Sequence, residues 1–281
     1  MFYPNLIAEQ QLGMCDVGRA IIPYLTSHIA YHTKRMVQDL SKQRLDALLV
    51  EKRLAQSRKR AMALILAGEV WVDGKRITKA GTQVPVDCTI KITGKDIPYV
   101  SRGGVKLEAA LHAFNLDVTG LACLDVGAST GGFTDCLLKH GATHVTAVDV
   151  GYGQLDTKLR SDPRVKVIER TNIRHLDAEA LPSPVDLACI DVSFISLKIV
   201  VPAVLKFMKQ PGHIICLVKP QFEVGKGLVG KGGVVRDPAL HKAVIQDLSK
   251  AFQGLKLRVL DVIPSPILGP KGNQEFLMHL Q

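Results

Sequence analysis

Short apolar runs alternate with helical patterns from residue 122 onward, and this alternation restricts the possible folds more than any other feature. The runs that we predict to be strands lie at 122–127, 144–151, 164–170, 185–193 and 212–220, with two more in LRVLDVIP and EFLMHL. The segments with helical periodicity lie at 131–141, 197–208 and 239–253. This alternation predicts an α/β fold with a doubly wound, mostly parallel sheet. In such sheets ligands bind beyond the carboxyl ends of the strands.

A glycine-rich turn follows the first of these strands. It reads DVGASTGGF, from Asp125 to Phe133, and its glycines allow the backbone to approach a ligand closely. The spacing differs from the GxGxxG fingerprint of dinucleotide-binding enzymes. It resembles the first motif of S-adenosylmethionine-dependent methyltransferases. A glycine turn that serves packing alone is the alternative interpretation.

We predict S-adenosylmethionine as the cofactor, bound at the carboxyl edge of the sheet. Asp149, at the end of the second strand, is expected to hold the ribose hydroxyls. Asn172, after the third strand, is expected to meet the adenine. The glycine turn would border the methionine part. The complete set of predicted cofactor residues is Asp125, Gly127, Ser129, Gly131, Gly132, Phe133, Asp149, Val150, Asn172 and Asp191.

Four ionisable residues fall at strand or helix ends that face the same crevice. Lys106 lies in a helix that Ser101 can cap, Asp191 ends the fourth strand, Lys219 ends the fifth and Glu275 opens the last. Each residue alone has an ordinary structural interpretation: a strand-end lysine usually lies at the surface, and a strand-end carboxylate usually caps a loop. Together they indicate proton chemistry, because two lysines held close together and away from water favour the neutral amine. A neutral amine can accept a proton from a hydroxyl group.

A second pattern occupies residues 43–96, which we predict to be a small α+β RNA-binding domain. Helices are expected at 44–54 and 57–68, followed by a hairpin that turns at Asp73-Gly74. The net charge of +10 indicates a polyanionic partner, although a solvated basic face would have the same composition. The predicted RNA contacts are Arg44, Arg53, Arg58, Lys59, Arg60, Lys75, Arg76 and Arg102.

The remaining features concern the linker, the N-terminal extension, the cysteines and membrane spans. Residues 97–100 are predicted to link the small domain to the sheet-forming domain at 101–281, and residues 1–42 to form a poorly ordered extension. For residues 1–35, an upstream mistranslation is the alternative. The six cysteines are scattered without a CxxC pair, which predicts reduced thiols in a cytoplasmic protein and no metal site. No apolar run is long enough to predict a membrane span.

The motifs, taken in order, resemble a known family. Residues 43–92 are similar to the RNA-binding domain first seen in small-subunit ribosomal protein four. The strings SRGGVKL, DVGASTGGFTD, DVGYGQL, DVSFISL, LVKPQFE and GNQEF, with their Lys-Asp-Lys-Glu order, resemble the FtsJ-like ribose 2′-O-methyltransferases. From residue 43 to 281 the sequence resembles the TlyA family, long labelled hemolysin A.

That resemblance implies methyl transfer from S-adenosylmethionine to the ribose 2′-hydroxyl of cytidine in ribosomal RNA. It also implies that Lys219 is the central base or orienting group, with Lys106, Asp191 and Glu275 around it. TlyA proteins that modify both subunits carry a further segment after the final strand, so the resemblance favours 23S rRNA of the large subunit over 16S rRNA. A membrane-active hemolysin and a catalytically silent RNA-binding protein are the alternatives from other functional classes.

Overall fold

The computed structural model describes residues 42–55, 57–66, 68–93, 97–181, 183–225 and 227–281. The chain divides into two compact units, residues 1–95 and 96–281. The extension predicted over residues 1–42 lies outside the described part, except for Lys42, which is the first residue of a strand. Residues 97–100, predicted to be a linker, belong to the second unit.

The first unit packs two helices against short antiparallel strands. Its elements are β1 (Lys42–Arg44), α1 (Leu45–Glu51), α2 (Arg58–Leu66), β2 (Val70–Val72), β3 (Lys75–Ile77), β4 (Gln83–Pro85) and β5 (Ile90–Ile92). Strand β2 pairs with both β3 and β5, and β1 pairs with β4. The predicted hairpin is confirmed, because Asp73 and Gly74 join β2 to β3 with φ of 47° and 77°. Ser57 Oγ accepts from the Arg60 N–H and caps α2 as the sequence predicts.

The second unit alternates helices with strands. Its elements are α3 (Gly103–Ala113), β6 (Ala122–Val126), α4 (Gly132–Lys139), β7 (His144–Val148), α5 (Thr157–Arg160), β8 (Val165–Ile168), β9 (Val185–Ile190), α6 (Leu197–Leu205), β10 (Met208–Val218), α7 (Pro220–Glu223), α8 (Pro238–Gly254), β11 (Val259–Pro264) and β12 (Phe276–Leu280). Short 3-10 helices occupy Ile173–His175, Ala178–Ala180 and Pro270–Gly272.

The strands of the second unit form one sheet with the order β11-β12-β10-β9-β6-β7-β8, as far as the described residues show. The five from β10 to β8 are parallel, and β12 pairs antiparallel with β10 and β11. The chain starts in the middle at β6, runs outward through β7 and β8, and returns to β9 on the other side of β6. The predicted fold class is confirmed, and the switch point between β6 and β9 is where such sheets bind ligands.

Helices cover both faces of this sheet, so its strands are apolar on both sides. In β6, Leu124 and Val126 pack with α6 and α8 on one face, while Cys123 packs with α3 and α4 on the other. The same alternation runs through β9, where Ile190 and Cys189 face opposite sides. This packing fixes the strand ends from which the functional side chains project.

Several element boundaries differ from the sequence expectation: the helix predicted over 44–54 ends at Glu51, and the strands predicted over 144–151 and 185–193 end at Val148 and Ile190. The helix predicted over 197–208 ends at Leu205, and the strand predicted over 212–220 begins at Met208. The pairing of β10 with β9 shifts register between Met208 and His213, a stretch that includes Pro211, which has no N–H to donate to a ladder. Helix α3 begins at Gly103, with Arg102 as its N-cap and Ser101 Oγ accepting from the Gly103 N–H at 3.3 Å.

Candidate active site

A cleft of about 340 Å³ opens at the switch point of the sheet. The predicted site residues that line it are Arg102, Lys106, Asp125, Gly127, Ser129, Gly132, Phe133, Asp191, Lys219 and Glu275. Its volume lies within the range of about 300–1,000 Å³ that is typical of small-molecule sites. All four members of the predicted Lys-Asp-Lys-Glu set therefore face one cavity.

The glycine turn after β6 requires glycine at two positions. Gly127 has a φ of 86°, and a Cβ there would collide with the Asp191 backbone carbonyl at the end of β9. Gly131 has a φ of 93°, and a Cβ there would meet the side chains of Leu155 and Leu159. Any other residue would be strained in this conformation and would also fill space that the neighbouring loops occupy.

Asp149 fixes the shape of this turn from the next strand. Its Oδ2 accepts from the Ser129 N–H at 2.7 Å, and its Oδ1 accepts from the Gly151 N–H at 2.6 Å. Each carboxylate oxygen has a second lone pair. The Asp149 carboxylate can therefore hold the turn and still accept a hydrogen bond from a ligand hydroxyl.

Asp125 anchors the same turn from inside the core. It is fully buried, and its Oδ2 accepts from both the N–H and the hydroxyl of Thr134, at 2.9 and 2.7 Å. Its Oδ1 has no hydrogen-bond partner among the described residues. Burial raises the pKa of Asp125 to about 7, because water no longer stabilises the carboxylate.

Lys106 and Glu275 form a buried ion pair of 2.5 Å between Nζ and Oε2. The Glu275 side chain has no exposed surface, and that of Lys106 is 11% exposed. Glu275 Oε1 has no hydrogen-bond partner among the residues that the structure describes. Since an isolated buried charge is costly, the loss of either partner would leave the other as an uncompensated charge in the cleft.

Lys219 and Asp191 form the second ion pair of the cleft. Lys219 Nζ lies 2.6 Å from Asp191 Oδ1 and donates to the Ser193 hydroxyl at 2.9 Å. Both side chains are partly shielded, with 11% and 23% of their surface exposed. The amine of Lys219 is thus held by one hydrogen bond to Ser193 and by the ion-pair contact with Asp191, at the carboxyl ends of β9 and β10.

The loop that carries Asp191 is held in place by Glu223 of α7. Glu223 accepts from the Ser196 hydroxyl at 2.6 Å and from the Leu197 N–H at 2.8 Å, at the start of α6. Burial raises the pKa of Glu223 above its ordinary value. The sequence strings DVSFISL and LVKPQFE therefore meet in space through the half-buried carboxylate of Glu223.

Two functional candidates in this loop escaped the sequence analysis. Ser193 gains its importance from contact with Lys219, which is 26 positions away in the chain. Phe194 is 90% exposed, has a φ of 63° and packs its ring 4.8 Å from that of Phe222. An exposed aromatic residue in a left-handed conformation is unusual, and such strain concentrates at functional sites. In the sequence, Phe194 could have been identified by its position directly after the DVS motif at the end of a strand.

Four predicted cofactor residues lie outside the lining of the cleft: Gly131 of the glycine turn, and Asp149, Val150 and Asn172. Val150 is 70% exposed. Asn172 Oδ1 accepts from the Arg174 N–H at 3.1 Å and caps a 3-10 helix. Asp149 and Val150 follow β7 and Asn172 follows β8, so a ligand longer than the cleft would reach them along the edge of the sheet.

The residues fit an adenosyl cofactor on the evidence of the turn itself. The carboxylates of Asp125 and Asp149 hold the turn from two sides, and Asp125, which lines the cleft, has an oxygen without a partner among the described residues. Gly127, Ser129 and Phe133 line the cleft. A glycine cradle with an acidic residue at the end of the second strand suits a ligand that combines a nucleoside with an amino acid.

Two predicted RNA contacts of the first unit, Arg44 and Arg58, share a buried carboxylate. Asp46 accepts from Arg44 at 2.8 Å and from Arg58 at 3.1 Å, and these hydrogen bonds hold the pKa of Asp46 well below its ordinary value. About half of each arginine side chain is exposed. Arg53, Lys75 and Arg76 are also exposed, Arg60 is half-buried, and the side chain of Lys59 is outside the described part. Arg76 donates to the Gly68 carbonyl.

Two further expectations concern cysteines and membranes. The five described cysteines are free and buried, and Cys15 lies outside the described residues. Burial raises the pKa of the Cys123 and Cys136 thiols to about 12, which keeps them protonated. Within the part of the chain that the structure describes, no helix is both long and apolar enough to cross a bilayer.

Comparison with known proteins places both units in families. The FtsJ-like methyltransferase family matches residues 99–281, and the S4 domain family matches residues 43–88. The 16S/23S rRNA (cytidine-2′-O)-methyltransferase TlyA of Mycobacterium tuberculosis is 49% identical over 239 residues, 85% of this chain and 89% of the relative. The 23S rRNA (cytidine-2′-O)-methyltransferase TlyA of Campylobacter jejuni is 33% identical, covering 82% and 96% of the two chains.

A solved structure gives the same result. A protein described as a hemolysin from Streptococcus thermophilus superposes with a TM-score of 0.69 at 41% identity, covering 85% of this chain and 88% of that one. The family resemblance drawn from the motifs is therefore confirmed. The chain belongs to the TlyA family of FtsJ-like methyltransferases, with an S4 domain ahead of the methyltransferase domain.

Proposed function

We propose that this protein transfers a methyl group from S-adenosylmethionine to the ribose 2′-hydroxyl of a cytidine in 23S rRNA. The observation that carries the proposal is the pair of ion pairs, Lys106–Glu275 and Lys219–Asp191, in one cleft beside the glycine turn. The names of the Mycobacterium and Campylobacter relatives support the cytidine ribose and the 23S molecule as the target.

S-adenosylmethionine, when bound, supplies an activated methyl group. The backbone of Gly127, Ser129 and Gly131 and the ring of Phe133 would hold its methionine part. Asp149 would accept hydrogen bonds from its ribose hydroxyls through the lone pairs that the turn leaves free. Asn172, which follows β8, would meet the adenine.

Lys219 handles the proton of the attacking hydroxyl. A ribose hydroxyl is a weak nucleophile, so its proton must leave as the oxygen attacks. Lys219 first releases a proton from the ammonium form that pairs with Asp191, and the resulting amine accepts the hydroxyl proton and becomes an ammonium ion again. Asp191 at 2.6 Å and Ser193 at 2.9 Å stabilise the charge that forms, and the amine then returns the proton to solvent. Lys106, held by Glu275, orients the hydroxyl from the other side of the cleft.

RNA capture combines charge with stacking. The exposed arginines and lysines of the S4 domain contact phosphates, which position the substrate without reading its sequence. Arg102 lies at the cleft itself and is exposed to an incoming backbone. The open ring of Phe194 offers a surface on which a base next to the reacting ribose can stack.

The direct test is methyl transfer by the purified full chain. Large-subunit RNA and S-adenosylmethionine with a labelled methyl group are incubated with the protein, and the RNA is digested with alkali. A 2′-O-methylated cytidine protects its phosphodiester from alkali, so the label should appear in a dinucleotide. Label on a base, or none in RNA, would overturn the proposal. Label in 16S rRNA would widen the target to both subunits.

A further inference from the structure

A cluster of metal-binding side chains lies on the α3–α4 face of the methyltransferase domain. One ligand atom from each of Glu108, His112 and His140 lies within 4.8 Å of the others. Glu108 and His112 are four positions apart on α3 and therefore share a helix face, and His140 directly follows α4. The mechanism proposed above gives these three residues no task.

Two of these side chains are already oriented as metal ligands are. His140 Nδ1 donates to the Cys136 carbonyl at 2.9 Å, which fixes the tautomer that leaves Nε2 as a free acceptor. Glu108 Oε1 accepts from the hydroxyl of buried Tyr99 at 2.8 Å, so Glu108 Oε2 is left for another partner. Metal-ligating histidines and carboxylates are commonly held by such outer hydrogen bonds.

The donor set selects a class of ion. Two imidazoles and one carboxylate suit a divalent transition metal, whereas Mg²⁺ and Ca²⁺ prefer oxygen ligands throughout. Three protein ligands and one water complete a tetrahedral Zn²⁺ site, with ligand atoms ~3.4 Å apart at metal–ligand distances of about 2.0–2.2 Å. Small side-chain rotations bring three atoms that lie within 4.8 Å of one another to that spacing.

We propose that Glu108, His112 and His140 bind a divalent transition metal ion, with Zn²⁺ as the natural occupant. The ion joins the C-terminal half of α3 to the end of α4. Helix α3 carries Lys106, and α4 begins next to the glycine turn. The ion therefore braces the two helices that frame the cleft, and it takes no part in methyl transfer.

Metal binding to the untagged, chelator-treated full chain tests this assignment. One equivalent of Co²⁺ should give visible absorption bands, and Zn²⁺ but not Mg²⁺ should abolish them. His140→Gln and Glu108→Gln should each weaken Zn²⁺ affinity at least tenfold. Tyr99→Phe, which removes only the outer hydrogen bond, should weaken it about tenfold. His175→Gln, at an exposed histidine outside the cluster, is the matched control and should change nothing.

Thermal unfolding provides the second readout. At a free Zn²⁺ concentration 100 times the dissociation constant, the unfolding midpoint of the wild type should rise by about 5 °C or more. Glu108→Gln keeps the volume of the side chain and should melt like the wild type without metal, yet gain nothing from Zn²⁺. Absence of a stoichiometric site, or equal affinity in His140→Gln, Glu108→Gln and His175→Gln, would show adventitious binding only and overturn the assignment.

Discussion

Lys219 and Asp191 form an ion pair across two neighbouring parallel strands, with 2.6 Å between Nζ and Oδ1. Lys219 follows β10 and Asp191 follows β9, so the pair lies at the sheet edge that forms the switch-point cleft. A lysine in this position has an acceptor that stabilises its charged form and a cavity in which a hydroxyl can approach it. This relationship leads to the first prediction.

We predict that Lys219→Arg abolishes methyl transfer. Guanidinium keeps the positive charge and the pairing with Asp191, but it cannot give up its proton near neutral pH. Single-turnover transfer should fall by 10²-fold or more, which is the usual worth of general acid–base catalysis. Lys209→Arg is the matched control, because Lys209 pairs with Asp186 at 2.7 Å on the surface of the same strand. Substantial turnover by Lys219→Arg would exclude Lys219 as the general base and would mean that its role is only electrostatic.

Removal of Lys106 should destabilise the fold as well as stop the reaction. Lys106→Met leaves the fully buried Glu275 carboxylate without its cation, which costs about 3–5 kcal/mol when one partner of a buried pair is lost. The double variant Lys106→Met with Glu275→Gln removes both charges and should recover most of that loss while remaining inactive. Urea unfolding of the three proteins tests this, and equal stability of the single and double variants would contradict it.

Asp149→Ala should weaken S-adenosylmethionine binding. The substitution removes the acceptor for two backbone N–H groups and the proposed acceptor of the cofactor's ribose. Hydrogen bonds to a charged group contribute about 1.5–3 kcal/mol, so affinity measured by calorimetry should fall by roughly 10- to 100-fold. Asp162→Ala, which removes a surface carboxylate paired with Arg164, should leave affinity unchanged. If Asp149→Ala and Asp162→Ala bound S-adenosylmethionine with equal affinity, the ribose of the cofactor would have to bind elsewhere.

Asp125 should make the cofactor-free protein less stable as pH rises from about 4 to 7. The pKa of Asp125 is raised to about 7 in the fold, so between these limits the folded state binds a proton that the unfolded state releases. Asp125→Asn mimics the protonated form and should raise the unfolding midpoint by about 5 °C at pH 8, with little gain at pH 4. The exposed Asp261→Asn should show no such difference. A gain that is the same at both pH values would exclude titration of Asp125.

RNA affinity should depend on salt through the S4 domain. Replacement of exposed Arg53 and Lys75 by alanine removes two phosphate contacts. The slope of log affinity against log salt should therefore become less steep by about 1 for each residue. Lys198→Ala, an exposed lysine on the methyltransferase domain that pairs with Asp247, serves as the control. Filter-binding measurements across a salt series would contradict the expectation if all slopes were equal.

The sequence predicted much of the fold because the relevant information is local. Period and length identify the strands, and the Asp73-Gly74 turn requires positive φ at both positions. Strand ends of a doubly wound sheet converge at one edge, which brings Asp191 and Lys219 to the same cleft.

The side-chain pairings of the site could not be predicted, because they depend on packing between residues that are far apart in the chain. Lys106 and Glu275 are 169 positions apart, and no local pattern says which lysine pairs with which carboxylate. The roles of Ser193 and Glu223 arise from contacts 26 and 27 positions away. The burial of Asp125, which changes its pKa, follows from the closure of both sheet faces around β6.

The most direct test of the proposed reaction is a map of ribose methylation on ribosomal RNA from three strains. One lacks the gene, one carries the wild type on a plasmid and one carries Lys219→Arg at matched protein levels. We predict that a 2′-O-methylcytidine in 23S rRNA is absent without the gene, restored by the wild type and not restored by Lys219→Arg. An identical ribose methylation pattern in all three strains would contradict the proposed function.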